Sequence, residues 1–254
     1  MLEYFLYISL KEKDRCCLTH YIMAVPQFKI CLDFDGVIFK NPHAMKIVSN
    51  RSAQFVSKKL KVSYANAKLI NSTQYKVHGH TVNYLIHTGV DTSLNEYNEF
   101  VFNHIDWDNV EMNLTNEDYE PIIDIHLLNK IQKQKSVIFS NAPRVWVDKA
   151  LEKLGTHHNV LFDQVFTCET LNQLKPNNKP YEEIEEYYPN TDLLFIDDGI
   201  LNLHNLGDRW KPHWFKPTDN IFQCGKKMIN DGAYLNTIET LDSILYPDLH
   251  LYFS

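Results

Sequence analysis

The residues best equipped for chemistry are Asp33 and Asp35, in the stretch Asp33-Phe34-Asp35-Gly36-Val37 that follows the apolar run Phe28-Lys29-Ile30-Cys31-Leu32. In an extended segment residues i and i+2 point to the same side, so two carboxylates at this spacing can serve one site. Gly36 then lets the chain turn away at little steric cost. The first carboxylate can act as nucleophile and the second as general acid and base, with a divalent cation offsetting their repulsion. An acidic turn after a strand is also a common structural element, so the pair alone decides nothing.

Three later groups extend the same chemistry. Ser140-Asn141-Ala142 follow the apolar run Val137-Ile138-Phe139, Asp197-Asp198 follow Leu193-Leu194-Phe195-Ile196, and Lys175-Pro176 lie between. A hydroxyl and backbone N–H groups at a helix start can hold phosphate oxygens. A lysine can offset charge on nucleophile and phosphate, and further carboxylates can complete a hard-cation site. Each piece has an ordinary reading as well, Ser-Asn as a helix cap and the Asp pair as a solvated turn; their order along the chain is what makes the joint reading strong.

These groups need a scaffold that brings strand ends together. Strands are expected at 28–32, 137–139, 165–168, 193–196 and 213–215, with helices at 144–154, closed by Gly155, and at 180–187. Pro121 suits the first turn of a helix carrying Ile122, Ile125, Leu128 and Ile131. Such alternation predicts a parallel sheet covered by helices on both faces, with ligands outside the carboxyl ends of the strands. Between 41 and 120 the apolar spacing is helical. Val48, Phe55, Val56 and Leu60 share one face, and Leu94, Tyr97, Val101 and Ile105 another. Ser93 with Glu96 reads as a capping box.

Asp33-Phe34-Asp35-Gly36-Val37, Ser140-Asn141, Lys175-Pro176 and Asp197-Asp198 resemble, in order, the four motifs of haloacid-dehalogenase-like hydrolases, over about residues 28 to 245. The resemblance implies an α/β fold: a Rossmann-like parallel-sheet core at 26–40 and 121–254, with a helical cap domain at 41–120 inserted after the first core strand. It implies that Asp33 attacks phosphorus, that Asp35 protonates the leaving oxygen and then activates water, that Ser140 and Asn141 bind the phosphoryl group, and that Lys175 stabilises it. Mg2+ would be held by Asp33, the backbone carbonyl of Asp35, and Asp197 or Asp198. Asp35 favours phosphate-ester hydrolysis, since a dehalogenase of this superfamily needs no acid there. Lys179 competes with Lys175 for the lysine role, and the motif match favours Lys175.

Asn71 to Thr81, with Tyr75, His78 and His80, and the later His87-Thr88-Gly89-Val90-Asp91 look like the cap of the pyrimidine 5′-nucleotidase branch. An alternative for the two histidines is a plain helix-to-turn boundary at Gly79. Lys175 to Tyr181 and the segment from Asp231-Gly232-Ala233 to Leu241-Asp242 also resemble that branch. Gly199 departs from the serine common there, whereas Asn202 matches the asparagine just beyond the Asp pair. Trp210, Trp214 and Phe215 read as strand packing rather than as a base-stacking platform. The expected activity is a magnesium-dependent phosphomonoesterase on nucleoside 5′-monophosphates. Another small phosphorylated metabolite, a nucleic-acid 3′-phosphate, or a non-catalytic binding role are the alternatives, the last disfavoured because every carboxylate and the lysine are present.

Composition fits this reading. The chain has 254 residues, 44% of them hydrophobic, enough for a sizeable core. A net charge of -7 gives no electrostatic reason to expect a nucleic-acid scaffold or an anionic membrane as partner. The five cysteines contain no CxxC, so neither zinc nor a disulfide framework is indicated and a reducing, cytoplasmic compartment is the simplest expectation. Leu2 to Leu10 are too short to span a bilayer and lack the flanks of a secretory signal. Residues 1–25 are expected to form an extension, with Met23 an alternative start.

Overall fold

The apolar run that precedes Asp33 forms strand β1 (Phe28–Leu32) and lies inside a seven-stranded sheet. The computed structural model describes residues 28–112, 136–171, 173–204, 206–215, 227–228 and 234–238. After β1 come helices α1 (Pro42–Leu60), α2 (Tyr64–His78), α3 (Thr81–His87) and α4 (Leu94–Val101), then β2 (Ser136–Phe139), α5 (Arg144–Lys153), α6 (His158–Leu161), β3 (Gln164–Phe166), α7 (Asn178–Tyr187), β4 (Asp192–Asp197), β5 (Trp210–Phe215), β6 (Lys227–Met228) and β7 (Tyr234–Ile238). The strand order is β3-β2-β1-β4-β5-β7-β6, parallel throughout except for the β6–β7 pair. This is the expected Rossmann-like α/β sheet, with β7 and β6 as additional strands beyond β5.

Register sets the site. Leu32 stands beside both Ile138 and Ile196, so β1, β2 and β4 end nearly level, and the Asp33 N–H continues the ladder to the Ile196 carbonyl. Alternation along β1 sends Ile30 and Leu32 to one core layer, with Ile138 and Ile196, and Cys31 to the other, with Val137, Phe139 and Phe195. Both layers are apolar, which is why Ile30 to Leu32, Val137 to Phe139 and Leu193 to Ile196 read as hydrophobic runs. Trp210 and Phe215 are buried in β5, and Trp214 packs against the second layer, as strand packing predicts.

Among the described residues between β1 and β2 there are four α-helices, α1 to α4. Asn41 caps α1 through its side chain, with Pro42 at the first helical turn. The expected apolar faces form: Phe55 and Val56 of α1 and Tyr97 and Val101 of α4 are buried in one cluster. Only half of the expected capping box exists. Ser93 Oγ accepts the Glu96 N–H at 3.1 Å, while the Glu96 carboxylate turns to Lys59 Nζ at 2.5 Å. Helix α4 also stops at Val101; Asp106 caps a separate short 3-10 turn, so Ile105 reaches the core from a loop rather than from the α4 face. Strand β3 ends at Phe166, before the expected 168, because Thr167 begins a turn closed by its carbonyl and the Thr170 N–H. The helix expected from Pro121 and the extension at 1–25 lie outside the described residues. No helix among the described residues is long and apolar enough to cross a membrane.

Candidate active site

Lys175 is the charge around which the strand ends gather. Its ammonium is buried and meets three acceptors: Asp197 Oδ2 at 2.6 Å, the Phe139 carbonyl at 2.8 Å and Asp33 Oδ1 at 3.1 Å. Those three come from the ends of β4, β2 and β1, so one side chain ties the three strands that the sequence motifs follow. Asn141 fixes the lysine from below by clamping its backbone, with Nδ2 donating to the Lys175 carbonyl at 3.0 Å and Oδ1 accepting its N–H at 2.7 Å. Any hold Asn141 has on a phosphate therefore comes through its backbone N–H. Ser140 is buried at the same strand end, and its Oγ accepts the Ala142 N–H at 3.1 Å. Lys179 lies outside this cluster, exposed and 3.7 Å from Glu183 on its own helix.

Asp35 reaches the site by a turn rather than by strand alternation. Strand β1 ends at Leu32, the N–H groups of Ile38 and Phe39 both bond to the Phe34 carbonyl, and Gly36 adopts φ +83°. A Cβ on Gly36 would stand 2.1 Å from Asp198 Oδ2, so close approach as well as backbone conformation requires glycine. Asp35 Oδ1 accepts the Trp146 indole N–H at 2.8 Å. Burial lifts the Asp35 carboxyl to about 6, against the pull of that N–H and of Lys175.

The two adjacent aspartates differ. Asp197 is fully buried and saturated: besides Lys175 it accepts from Asn202 Nδ2 at 3.0 Å on both oxygens and from the Gly199 N–H at 2.7 Å. Asp198 is exposed toward Gly36, and its backbone carbonyl is held by Trp214 Nε1 at 3.0 Å. Carboxylate oxygens of Asp33, Asp197 and Asp198 lie within 4.8 Å of one another. Burial, then Asp197, push Asp33 well up in spite of Lys175, and the same two causes lift Asp198 to about 7. Burial opposes charge on Lys175, but Asp197 and Asp33 outweigh it and keep the ammonium. Three carboxyl groups share one ammonium, and their mutual repulsion is part of what pushes Asp33 and Asp198 up. An all-oxygen donor set of this kind fits a hard divalent cation, which would let all three ionise.

A cavity of about 820 Å³ opens over these groups, lined by Asp33, Asp35, Ser140, Lys175 and Asp198 and, from the helices between β1 and β2, by Met45, Val48, Asn71, Tyr75, Lys76, His80 and Phe102. Tyr75 is half exposed, yet burial of its hydroxyl and the charges of Asp33, Asp198 and Asp35 push its pKa up, which keeps it protonated and a donor. His80 is buried at the start of α3. His78 is not brought to the cavity; its ring packs on those of His87, at 5.1 Å, and Tyr84, at 5.6 Å. The sequence reading missed Trp146, the Trp214 bond to Asp198 and the clamp made by Asn141. Only Asn141 carried a signal, its place beside Ser140.

Neither a known family model nor a curated protein matches the sequence. Solved structures do match in fold. A haloacid-dehalogenase-type phosphatase from Thermococcus onnurineus aligns with a TM-score of 0.50 at 16% identity, over 88% of this chain and 98% of its own. A conserved haloacid dehalogenase-like protein of unknown function from Agrobacterium tumefaciens aligns with a TM-score of 0.50 at 12% identity, over 89% and 99%. The fold is therefore that of the haloacid-dehalogenase-like hydrolases.

Proposed function

We propose that the protein is a magnesium-dependent phosphomonoester hydrolase working through an aspartyl-phosphate on Asp33, with nucleoside 5′-monophosphates as its substrate class. The observation that carries this reading is the convergence on Lys175 of Asp33, the Phe139 carbonyl and Asp197 from three strand ends, with the burial-raised carboxyl of Asp35 beside it. Asp33 attacks phosphorus while Asp35 gives its proton to the leaving oxygen. Asp35, now a carboxylate, takes a proton from the water that attacks the aspartyl-phosphate, which releases inorganic phosphate and restores Asp33. Ser140 Oγ and the Asn141 N–H hold phosphoryl oxygens, and Lys175 offsets the charge that gathers between Asp33 and the phosphoryl group.

Asp33, the backbone carbonyl of Asp35 and Asp198 would hold Mg2+, whose contribution is to neutralise charge on the phosphoryl group and the carboxylates. Asp197, already saturated with donors, acts instead by fixing Lys175. The presence of an acid at Asp35 supports phosphate esters over haloacids. The nucleotide preference is supported by the size of the cavity, which falls in the range of small-molecule sites, and by the resemblance of the Tyr75–His80 stretch, in helices we take to form a cap, to the pyrimidine 5′-nucleotidase branch. A cytoplasmic location belongs to the same proposal.

A panel of phosphate monoesters assayed with and without Mg2+ tests the proposal. Nucleoside 5′-monophosphates should be turned over only with the ion. Turnover of sugar or cofactor phosphates without nucleotides would replace the substrate class, and no turnover of any ester would overturn the hydrolase reading.

A further inference from the structure

The cavity wall contributed by the helices between β1 and β2 contains a buried histidine whose hydrogen-bonding state is fixed by the backbone. His80 is the N-cap of α3, and its Nδ1 accepts the Val82 N–H at 3.2 Å. A ring nitrogen that accepts carries no proton, so the neutral imidazole keeps its proton on Nε2. The residue is 6% exposed, and burial lowers its pKa to about 4, so it is neutral at physiological pH.

Among the described residues no group accepts from Nε2. The two nitrogens lie on opposite sides of the ring. Committing Nδ1 to the α3 backbone thus turns Nε2–H away from the helix, to the cavity that His80 lines. The adjacent Tyr97 ring, 5.1 Å away at 71°, has its hydroxyl engaged elsewhere, 2.7 Å from Ser52 Oγ. Nε2 is not among the fully buried side-chain atoms without a partner, so it opens on the cavity, where an acceptor on a bound molecule can take the place of solvent.

The neighbouring groups have the same polarity. Thr81 Oγ1 donates to Asn71 Oδ1 at 2.7 Å, which leaves the Asn71 amide protons available, and the Tyr75 hydroxyl stays protonated beside the carboxylates. Asn71, Tyr75 and His80 all line the cavity, so this wall offers donors. The phosphate-holding groups sit at the strand ends, whereas His80 belongs to the helices above them.

We propose that His80 is a specificity-determining residue whose Nε2–H donates to the leaving group, so that the site selects phosphate monoesters bearing a carbonyl oxygen or a bare ring nitrogen there, as nucleobases do. This rests on the phosphatase reading for its kinetic consequence but not for its binding consequence. A leaving group with only hydrocarbon at that position leaves the donor unpaired and loses affinity.

His80→Asn tests the assignment, because asparagine is among the best N-caps and can still accept the Val82 N–H while the distal donor is gone. With the full chain and Mg2+, kcat/KM for uridine 5′-monophosphate should fall roughly ten- to a hundredfold. Phenyl phosphate, whose ring has no acceptor, should change by less than about threefold. An equal loss on both esters, or no loss on the nucleotide, would overturn the assignment. Uridine binding measured by calorimetry needs no turnover and separates the two readings. A wild-type protein that hydrolyses neither ester ends the phosphatase reading, and His80 is then judged by uridine alone: weaker binding to His80→Asn supports the donor, and equal binding overturns it.

Discussion

Trp146 donates its indole N–H to Asp35 Oδ1 at 2.8 Å, and three aromatic rings hold the indole in place: Phe39, Phe102 and Trp107, with centroids 5.5, 5.6 and 4.9 Å away. The bond fixes one carboxyl oxygen and leaves the other to transfer the proton. It also favours the ionised form, against burial. Trp146→Phe keeps the packing and removes the donor, so Asp35 should rise above its value of about 6. A higher pKa keeps Asp35 protonated to higher pH, so at a given pH less of it is the carboxylate that takes a proton from water. The limb of the pH–rate profile set by Asp35 should therefore move upward, and hydrolysis of the aspartyl-phosphate should slow by roughly tenfold. A profile measured with rapid-quench kinetics checks both, and an unmoved limb would contradict the role.

Metal binding should be visible without turnover. Mg2+ at about a hundred times its Kd should stabilise the wild type by about 2.7 kcal/mol, reversibly with a chelator. Thermal melts of Asp198→Asn should show most of that shift lost, because among the described residues no side chain donates to the Asp198 carboxylate, whereas Asp197 is saturated. A full shift in Asp198→Asn would show that the ion binds elsewhere.

The two candidate lysines should separate by stability. Lys175→Met strands the buried carboxylates of Asp33 and Asp197 and should cost about 3–5 kcal/mol in chelator, by denaturant unfolding. Lys179→Met removes an exposed pair and should stay within about 0.5 kcal/mol. Comparable losses in both would contradict the placement of Lys175.

What could be read in advance follows from what each signal depends on. Strands β1, β2 and β4 were legible because burial on both faces leaves apolar runs, and the residues that follow them were legible because a parallel sheet gathers strand ends at one edge. The choice between Asp197 and Asp198 was not, since it depends on Asn202 and Gly199 donating to one of two identical neighbours. Trp146 was hidden because it shares its helix face with Val147, Ala150 and Leu151 and reads as core, which it also is; no spacing encodes where an indole N–H points. His78 and His80 were inseparable because the chain reversal at Gly79, with φ +70°, decides which one faces the cavity. Glu96 was misplaced because Lys59, 37 residues away, competes for its carboxylate.

The most direct test of the account is whether Asp33 becomes phosphorylated. Acid-quenched wild-type protein incubated with labelled phosphate ester and Mg2+ should carry a hydroxylamine-sensitive phosphoryl group on Asp33. Asp33→Asn, folded as judged by circular dichroism, should carry none, with turnover lower by orders of magnitude. A folded Asp33→Asn protein that keeps full turnover would contradict the mechanism.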